Sequence, residues 1–352
     1  MSTLLEAPAR ASVTALSSCG EMEALRPEWE ALWDRSPRAT PFQHPAWLLA
    51  WWRRLGGGEP RVLALRDGRG VLRGVWPAYV WTGDGARQLT PLGNGVSDHV
   101  DLVAERGMED GLAAAVLAHL ARSDDWDTAD FRDLPADSAL LRAPRRGLSA
   151  TVSEDEPCPV LPLPAAVPGE AAGERGEPVS IPPALLKQLR YDRRRLHRDF
   201  ASTYETARDA ASLDALFAAL LRLHAARWGA RGEPGVLRDP RAAAFHREAA
   251  AALLARGMLR LHGLRLNGAL AAVWYGFAAH GRVHYYLSGF DPAYGRYGPG
   301  RVMVGHALAA AAREGAAEFD FLRGREAYKL AWGAVERPQR RLRLSRPGGP
   351  PP

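Results

Sequence analysis

Residues 282–333 read RVHYYLSGFDPAYGRYGPGRVMVGHALAAAAREGAAEFDFLRGREAYKLAWG, and their pattern decides how the chain is built. Arg282–Phe290 has the composition and length of a strand. It gives way to a loop holding Gly295, Gly298 and Gly300, where the missing Cβ atoms let backbone amides come close to an anion. A helical pattern follows, and its positive N-terminal end points at the same place. A second strand then closes on Arg323 and Gly324, with Tyr328 and Lys329 on a short helix beyond. The order describes a phosphate-holding unit with groups for a second reactant beside it. Gly295-x-x-Gly298-x-Gly300 resembles a dinucleotide fingerprint. It falls late in the chain, however, and lacks the acid expected about twenty residues on in a βαβ setting.

Upstream, two further strand signals, Met258–Leu266 and Leu270–Ala278, flank an Asn267-Gly268 pair that marks a hairpin. Before them, Ser212–Trp228 places Leu213, Leu216, Phe217, Leu220 and Leu223 on one helical face. A second helix runs from an Asp239-Pro240 cap to Gly257. Thr203–Arg208 reads as a short strand. Ahead of it, a helix beginning at the prolines 182–183 carries Leu185, Leu189, Leu196 and Phe200 on one side. Arg190, Arg193, Arg194, Arg195 and Arg198 crowd the other side, as a solvated face or a surface for a nucleic acid, a cofactor phosphate or an acidic polymer. Gln339–Leu344 reads as a last strand.

The first half repeats this order. A strand at 11–18 precedes a helix at Glu21–Arg35 and a second helix with Trp47, Leu48, Trp51 and Trp52, read as packing residues. Strands follow at 61–66, 71–81 and 86–91, then a helix at 111–121, a strand at 128–132 and another around 148–152. Residues 164–180, rich in Pro, Gly and Glu, read as a linker. The recurrence, without a residue-level repeat, predicts a duplicated α+β fold. Its expected parts are domains at 1–163 and 181–345, with a tail at 346–352.

The chain has 352 residues, 47% hydrophobic and 24% charged, as in a globular protein. Net charge is +6, and 44 of the 46 basic residues are arginine. So strong a bias reflects composition, and it singles out Lys329, which shares its type only with Lys187. Cys19 and Cys158 have neither metal nor redox spacing. The N-terminus lacks the basic start and apolar core of a secretory signal, and no apolar run reaches bilayer length. A cytoplasmic location is expected. The histidines are scattered, His280 and His284 have no ligand partners nearby in sequence, and no metal is expected. Ser97-Asp98-His99 is contiguous and does not make a triad, and a nucleophile elbow is absent.

Five segments carry a resemblance: PFQHPAW (41–47), LGNGVSDHVD (92–101), HAARWGARG (224–232), YYLSGFDPAYGRYGPG (285–300) and FDFLRGREAYKLAWG (319–333). Across most of 20–345 the chain resembles the cellulose-biosynthesis-type (CelD-like) acetyltransferases of the GNAT superfamily, relatives of the FemAB peptidoglycan aminoacyltransferases. The resemblance implies tandem GNAT-like domains with mixed, mainly antiparallel sheets flanked by helices. It implies acetyl-CoA or another acyl-CoA as donor, held by the second domain, and an amine or hydroxyl acceptor such as a sugar or polysaccharide precursor. On that pattern Leu287 and Gly289 lie where backbone amides polarise the thioester carbonyl, and Arg296, Gly298, Gly300 and Arg301 lie at the pyrophosphate. Gly295 holds the place where the usual loop has Gln or Arg, and Arg296 is displaced by one.

For the chemistry, Tyr328 is the candidate proton donor to the leaving thiolate, or else a core hydrogen-bonding residue. Lys329 is placed to bind donor phosphate, orient the acceptor or remain solvated. Asp98 and Asp101 are candidates for acceptor binding or general base, against ordinary turn chemistry. Asp320, Arg323 and Glu326 are assigned to substrate, with an Arg323–Glu326 salt bridge as the alternative. His224, Arg227 and Trp228 border the cleft or pack. Two other functions stay open: a FemAB-like transferase using aminoacyl-tRNA, with the arginine helix on the RNA, and a non-catalytic module that binds a saccharide or a partner.

Overall fold

The computed structural model describes residues 12–83, 85–163, 181–230 and 232–346. The expected linker at 164–180 and all but Arg346 of the expected tail lie outside the described residues.

The chain begins with β1 (Ser12–Leu16), α1 (Cys19–Asp34), a 3-10 turn at Pro41–Gln43 and α2 (Pro45–Leu55). Then come β2 (Glu59–Pro60), β3 (Val62–Arg66), β4 (Leu72–Trp76), β5 (Ala78–Gly83), β6 (Ala86–Pro91) and β7 (Val103–Ala104). After these lie α3 (Glu109–Arg122), β8 (Thr128–Pro135), α4 (Ala139–Arg142) and β9 (Ser149–Pro162). The second half holds α5 (Pro183–Asp199), β10 (Ser202–Thr206), α6 (Ala210–Gly229) and α7 (Pro240–Ala255). It continues through β11 (Leu259–Leu266), β12 (Ala269–Ala279), β13 (Arg282–Phe290) and α8 (Pro299–Arg313). The last elements are β14 (Glu318–Asp320), α9 (Ala327–Ala331) and β15 (Val335–Ser345). The fold is α+β with mainly antiparallel sheets flanked by helices, as the sequence predicts.

Local chemistry sets the boundaries. Ser18 and Glu21 close a capping box on α1, and Asp209 with Ser212 does the same for α6. Asn267 and Gly268 take φ of 50° and 84°, the left-handed pair a tight hairpin requires. The single strand expected at 71–81 is two, because Pro77 has no amide for a ladder. The strand expected around 148–152 instead runs to Pro162.

Two compact units result, Met1–Glu156 with Pro338–Pro352, and Pro157–Arg337. In the first, β1, β3, β4 and β7 form one sheet, while β8 pairs parallel with β6 and antiparallel with β15. In the second, β10 to β13 form a meander, β13 pairs parallel with β14, and β14 pairs antiparallel with β9. Each unit thus has a strand–helix–strand crossover, β6–α3–β8 or β13–α8–β14, backed by an antiparallel strand from elsewhere in the chain. For this reason residues 157–163 group with the second unit and 338–345 with the first, unlike the boundaries read from sequence.

The first core gathers Trp76, Val116, Leu117, Phe131, Leu342 and Leu344. The second gathers Leu189, Leu264, Trp274, Val302, Leu308 and Phe319. No helix among the described residues is long and apolar enough to cross a membrane. Leu344 is fully buried, so Leu344→Ala is expected to cost about 2–5 kcal/mol. Urea unfolding read on both halves should show the loss in the first unit, although the substitution lies at the far end of the chain.

Candidate active site in the second unit

Two strands that part company create the site. β13 and β14 are registered over Arg282↔Glu318, Val283↔Phe319 and His284↔Asp320 only. β13 continues to Phe290, but after Asp320 the chain follows β9, where Phe321 N donates to Pro159 O (2.9 Å) and Gly324 N to Pro157 O (3.1 Å). On its other edge β13 stays paired with β12. There the partner of Tyr275 is Leu287 and that of Gly276 is Tyr285, so Tyr286 is an extra residue, a β-bulge. A wedge opens between 285–290 and 321–328, lined on the β13 side by backbone groups with no β14 partner.

A chain of hydrogen bonds occupies this wedge. Arg227, on α6, donates from Nη1 to Ser288 Oγ (3.1 Å), and its guanidinium lies 5.4 Å from the centre of the Phe290 ring. Ser288 Oγ shares a 2.6 Å bond with the Tyr285 hydroxyl. Tyr285 in turn is hydrogen-bonded to Tyr328. Tyr328 keeps 41% of its surface exposed, yet loss of water around its hydroxyl, then Tyr285 and Glu326, raise its pKa above the ordinary phenol value. It is a phenol held in its protonated form at the edge of an unpaired strand.

The facing wall is built around Lys329. Its buried ammonium donates to Leu322 O (3.1 Å) and Arg323 O (2.5 Å) and pairs with Glu326 Oε2 at 2.9 Å. All three donors are occupied within the loop, so Lys329 shapes the wall. Asp320 Oδ1 accepts from Leu322 N (2.7 Å) and fixes the turn at which Leu322 takes a φ of 60°. Glu326 lies against Gly324, whose φ of 119° no side chain tolerates well. The Glu326 carboxylate pairs with Lys329.

Helix α6 closes the back. A Cβ on Gly289 would lie 2.5 Å from His224 N and 2.7 Å from Leu223 C. His224 is buried and its Nε2 has no hydrogen-bond partner among the described residues; burial first and Arg227 second lower its pKa to about 4. Its ring lies 5.9 Å from that of Trp228.

The glycine loop is a 3-10 turn, Pro292–Tyr297, ending on Gly298, whose φ is 64°. The first amides of α8, beginning after Pro299, have no side-chain cap from Gly298. However, the buried Asp192 carboxylate of α5 fills the space beside Gly298, where a Cβ would lie 2.6 Å from Oδ2. Arg301 is ion-paired to that carboxylate. Arg296 stacks on Tyr297 (4.9 Å) and donates to its hydroxyl at 3.0 Å, while Arg195 covers the same ring at 4.6 Å.

Asp98 and Asp101 belong to the first unit. Asp98 O accepts from Gln339 Nε2 (2.7 Å). Asp101 Oδ1 accepts from the Ser138 hydroxyl (2.7 Å) and Leu102 N (2.8 Å). Burial raises the Asp101 pKa to about 6, and the residue lines a cavity of about 240 Å³ with Arg38 and Asp137.

The structure thus joins Arg227, Tyr328 and the 287–289 backbone in one wedge and puts Lys329, Asp320 and Glu326 in its wall. Sequence reading missed Tyr285, Ser288 and Asp192. Regular strand alternation puts residues 285 and 288 on opposite faces, and only the bulge at Tyr286 brings their hydroxyls together.

Residues 184–330 match the model of the acetyltransferase (GNAT) domain family. No curated protein matches the chain. Among solved structures, FemX is 14% identical with a TM-score of 0.61, covering 96% of each chain. The C-terminal domain of a lysylphosphatidylglycerol synthetase from Agrobacterium fabrum is 12% identical, TM-score 0.57, over 93% of this chain and 92% of that one. L-PGS from Bacillus licheniformis is 12% identical, TM-score 0.54, over 85% and 90%. At these identities the three share the fold. The segment that matches the GNAT-type acetyltransferase domain lies in the second unit, and the β13–β14 wedge within it is the candidate transfer site.

Gly289→Ala is expected to destabilise the second unit by at least about 1–3 kcal/mol in urea, because a methyl group meets helix backbone there. Acid should act on the same unit. His224 and His306 are held at about 4, and His246 and His262 at about 3, mainly by burial. The unfolded chain therefore takes up protons first as pH falls below about 6.5. Stability is full above that value and falls by up to about 1.4 kcal/mol per histidine per pH unit towards pH 4. Urea midpoints at pH 7 and pH 5 test this.

Proposed function

We propose that the chain is an acyltransferase that moves an acyl group from acyl-CoA to an amine or hydroxyl, in the manner of the cellulose-biosynthesis-type acetyltransferases. The observation that carries the reading is the wedge with its Tyr328–Tyr285–Ser288–Arg227 chain inside a GNAT-type domain. The acceptor's lone pair attacks the thioester carbon, and a backbone amide of 287–289 that points away from β12 stabilises the developing oxyanion. The C–S bond then breaks and the thiolate takes the Tyr328 proton, with Tyr285 and Ser288 behind it to restore that proton. The acceptor proton leaves to solvent. Arg227 anchors the inner end of the chain. Donor phosphates meet the first amides of α8 and Arg296 on its Tyr297 ring. A sugar or cell-envelope precursor in the cytoplasm is the acceptor class that agrees with the resemblance.

Thiol release from acetyl-CoA in the presence of amino sugars measures the reaction. Tyr328→Phe is expected to lower kcat about 10²–10⁴-fold while leaving the donor KM nearly unchanged. Unchanged turnover in both Tyr328→Phe and Arg227→Met would sink the mechanism.

Asp192 favours a second reading. A carboxylate beside Gly298 opposes a coenzyme A diphosphate there, and the exposed Arg194 and Arg198 of α5 offer phosphate contacts instead. A FemAB-like transferase drawing on aminoacyl-tRNA would use both features. It requires tRNA binding that weakens steeply with salt, and its absence at low salt removes this reading.

A further inference from the structure

The second unit holds a cavity that takes no part in the transfer wedge. Its volume is about 890 Å³, within the range of small-molecule sites, and it opens between β10, β11, the end of α7 and the C-terminal half of α8. Gly300 and Arg313 mark opposite ends of α8, so cavity and glycine loop lie about 20 Å apart along that helix.

The cavity is chemically uneven. On its floor His262 is 4% exposed, stacked on Trp274 (5.5 Å) and bonded through Nδ1 to Thr206 Oγ1 at 2.8 Å. Its Nε2 has no partner among the described residues. His306 lies edge-on to it at 5.3 Å and is stacked flat on Tyr204 at 4.2 Å. Burial keeps both imidazoles neutral, at about 3 for His262 and about 4 for His306. The Nδ1–Thr206 bond fixes the His262 ring, which lines the cavity.

Three arginines and two glutamates lie at the rim. Glu314 is held by Arg260 at 2.8 Å, and Glu205 by Arg265 at 3.0 Å. Arg208 and Arg313 have no ion pair with any described residue and line the same cavity. Two guanidiniums with no ion pair among the described residues match a dianion with three oxygens better than a carboxylate, which has one charge and two. Leu254, Leu259, Ala207 and Ala310 give the rest of the wall an apolar character.

We propose that this cavity binds a phosphate monoester with a small apolar or aromatic group, its phosphate between Arg208 and Arg313 and its organic part against Ala207, Leu254 and Ala310. The ligand is a second one, distinct from the acyl donor. Because α8 carries the cavity at one end and the glycine loop at the other, an occupant acts on the rigid element that positions the loop.

Phenyl phosphate is the probe, titrated into the full chain by calorimetry and by histidine Cε1–H resonances. The expected result is saturable binding with a Kd below about 1 mM, movement of the His262 and His306 signals, and at least tenfold weaker binding in Arg208→Gln/Arg313→Gln. Ala310→Trp, which fills the space without altering charge, should abolish binding while the melting temperature shows the fold intact. Neither arginine belongs to the transfer wedge, so basal turnover should not change in the charge variant. Absence of binding, equal affinity in the charge variant, or benzoate binding as tightly as phenyl phosphate would each overturn the assignment.

Discussion

A backbone that leaves its neighbour in a sheet exposes amides and carbonyls that must find other partners. That constraint governs the second unit. After His284↔Asp320 the parallel ladder ends, and everything near the wedge answers to the separation. β9 takes over the chain beyond Asp320, and the Lys329 ammonium gathers the carbonyls of Leu322 and Arg323. On the other side, Ser288 O lies 3.5 Å from Arg227 Nη1. The amides left on β13 form a polar strip beside the relay of hydroxyls. Strand pairing and reaction chemistry draw on the same backbone groups.

Charge is placed with equal economy. Lys329 and Asp320, which look like reactive groups in a sequence, are buried and bonded to the loop that forms the wall. Beside the Arg227 guanidinium, the side chains in the wedge are the hydroxyls of Tyr328, Tyr285 and Ser288. A neutral phenol in a partly dry place keeps its proton until a stronger base develops beside it, as a departing thiolate does. At the start of α8 a buried carboxylate, that of Asp192, stands beside Gly298 and is ion-paired to Arg301.

Much of this was legible in the sequence. The hairpin at Asn267-Gly268, the strand periods and the Gly298 turn follow from local stereochemistry and fall where expected. The split at Pro77 was equally available, since proline removes a ladder donor. What could not be read depends on contacts distant in sequence. Asp192 reaches Gly298 across more than a hundred residues, and nothing in the α5 pattern distinguishes it from a solvated acid. The Tyr285–Ser288 pair is hidden by the bulge, which depends on register against β12. Asp98 and Asp101 stand in a glycine-rich segment that carries part of the resemblance, and Asp101 lines a cavity of the first unit that its sequence neighbours do not announce.

The provenance of β9 and β15 has a bearing on biosynthesis. The strand beside β14 is made before most of the second unit, and the strand beside β8 only at the end of the described chain. During translation the first unit therefore waits, with the β8 edge uncovered, until some two hundred further residues have emerged. Such a wait leaves an unpaired edge exposed to other chains. Cutting the gene at the midpoint would not separate two modules; it would leave each fragment holding the strand that the other needs.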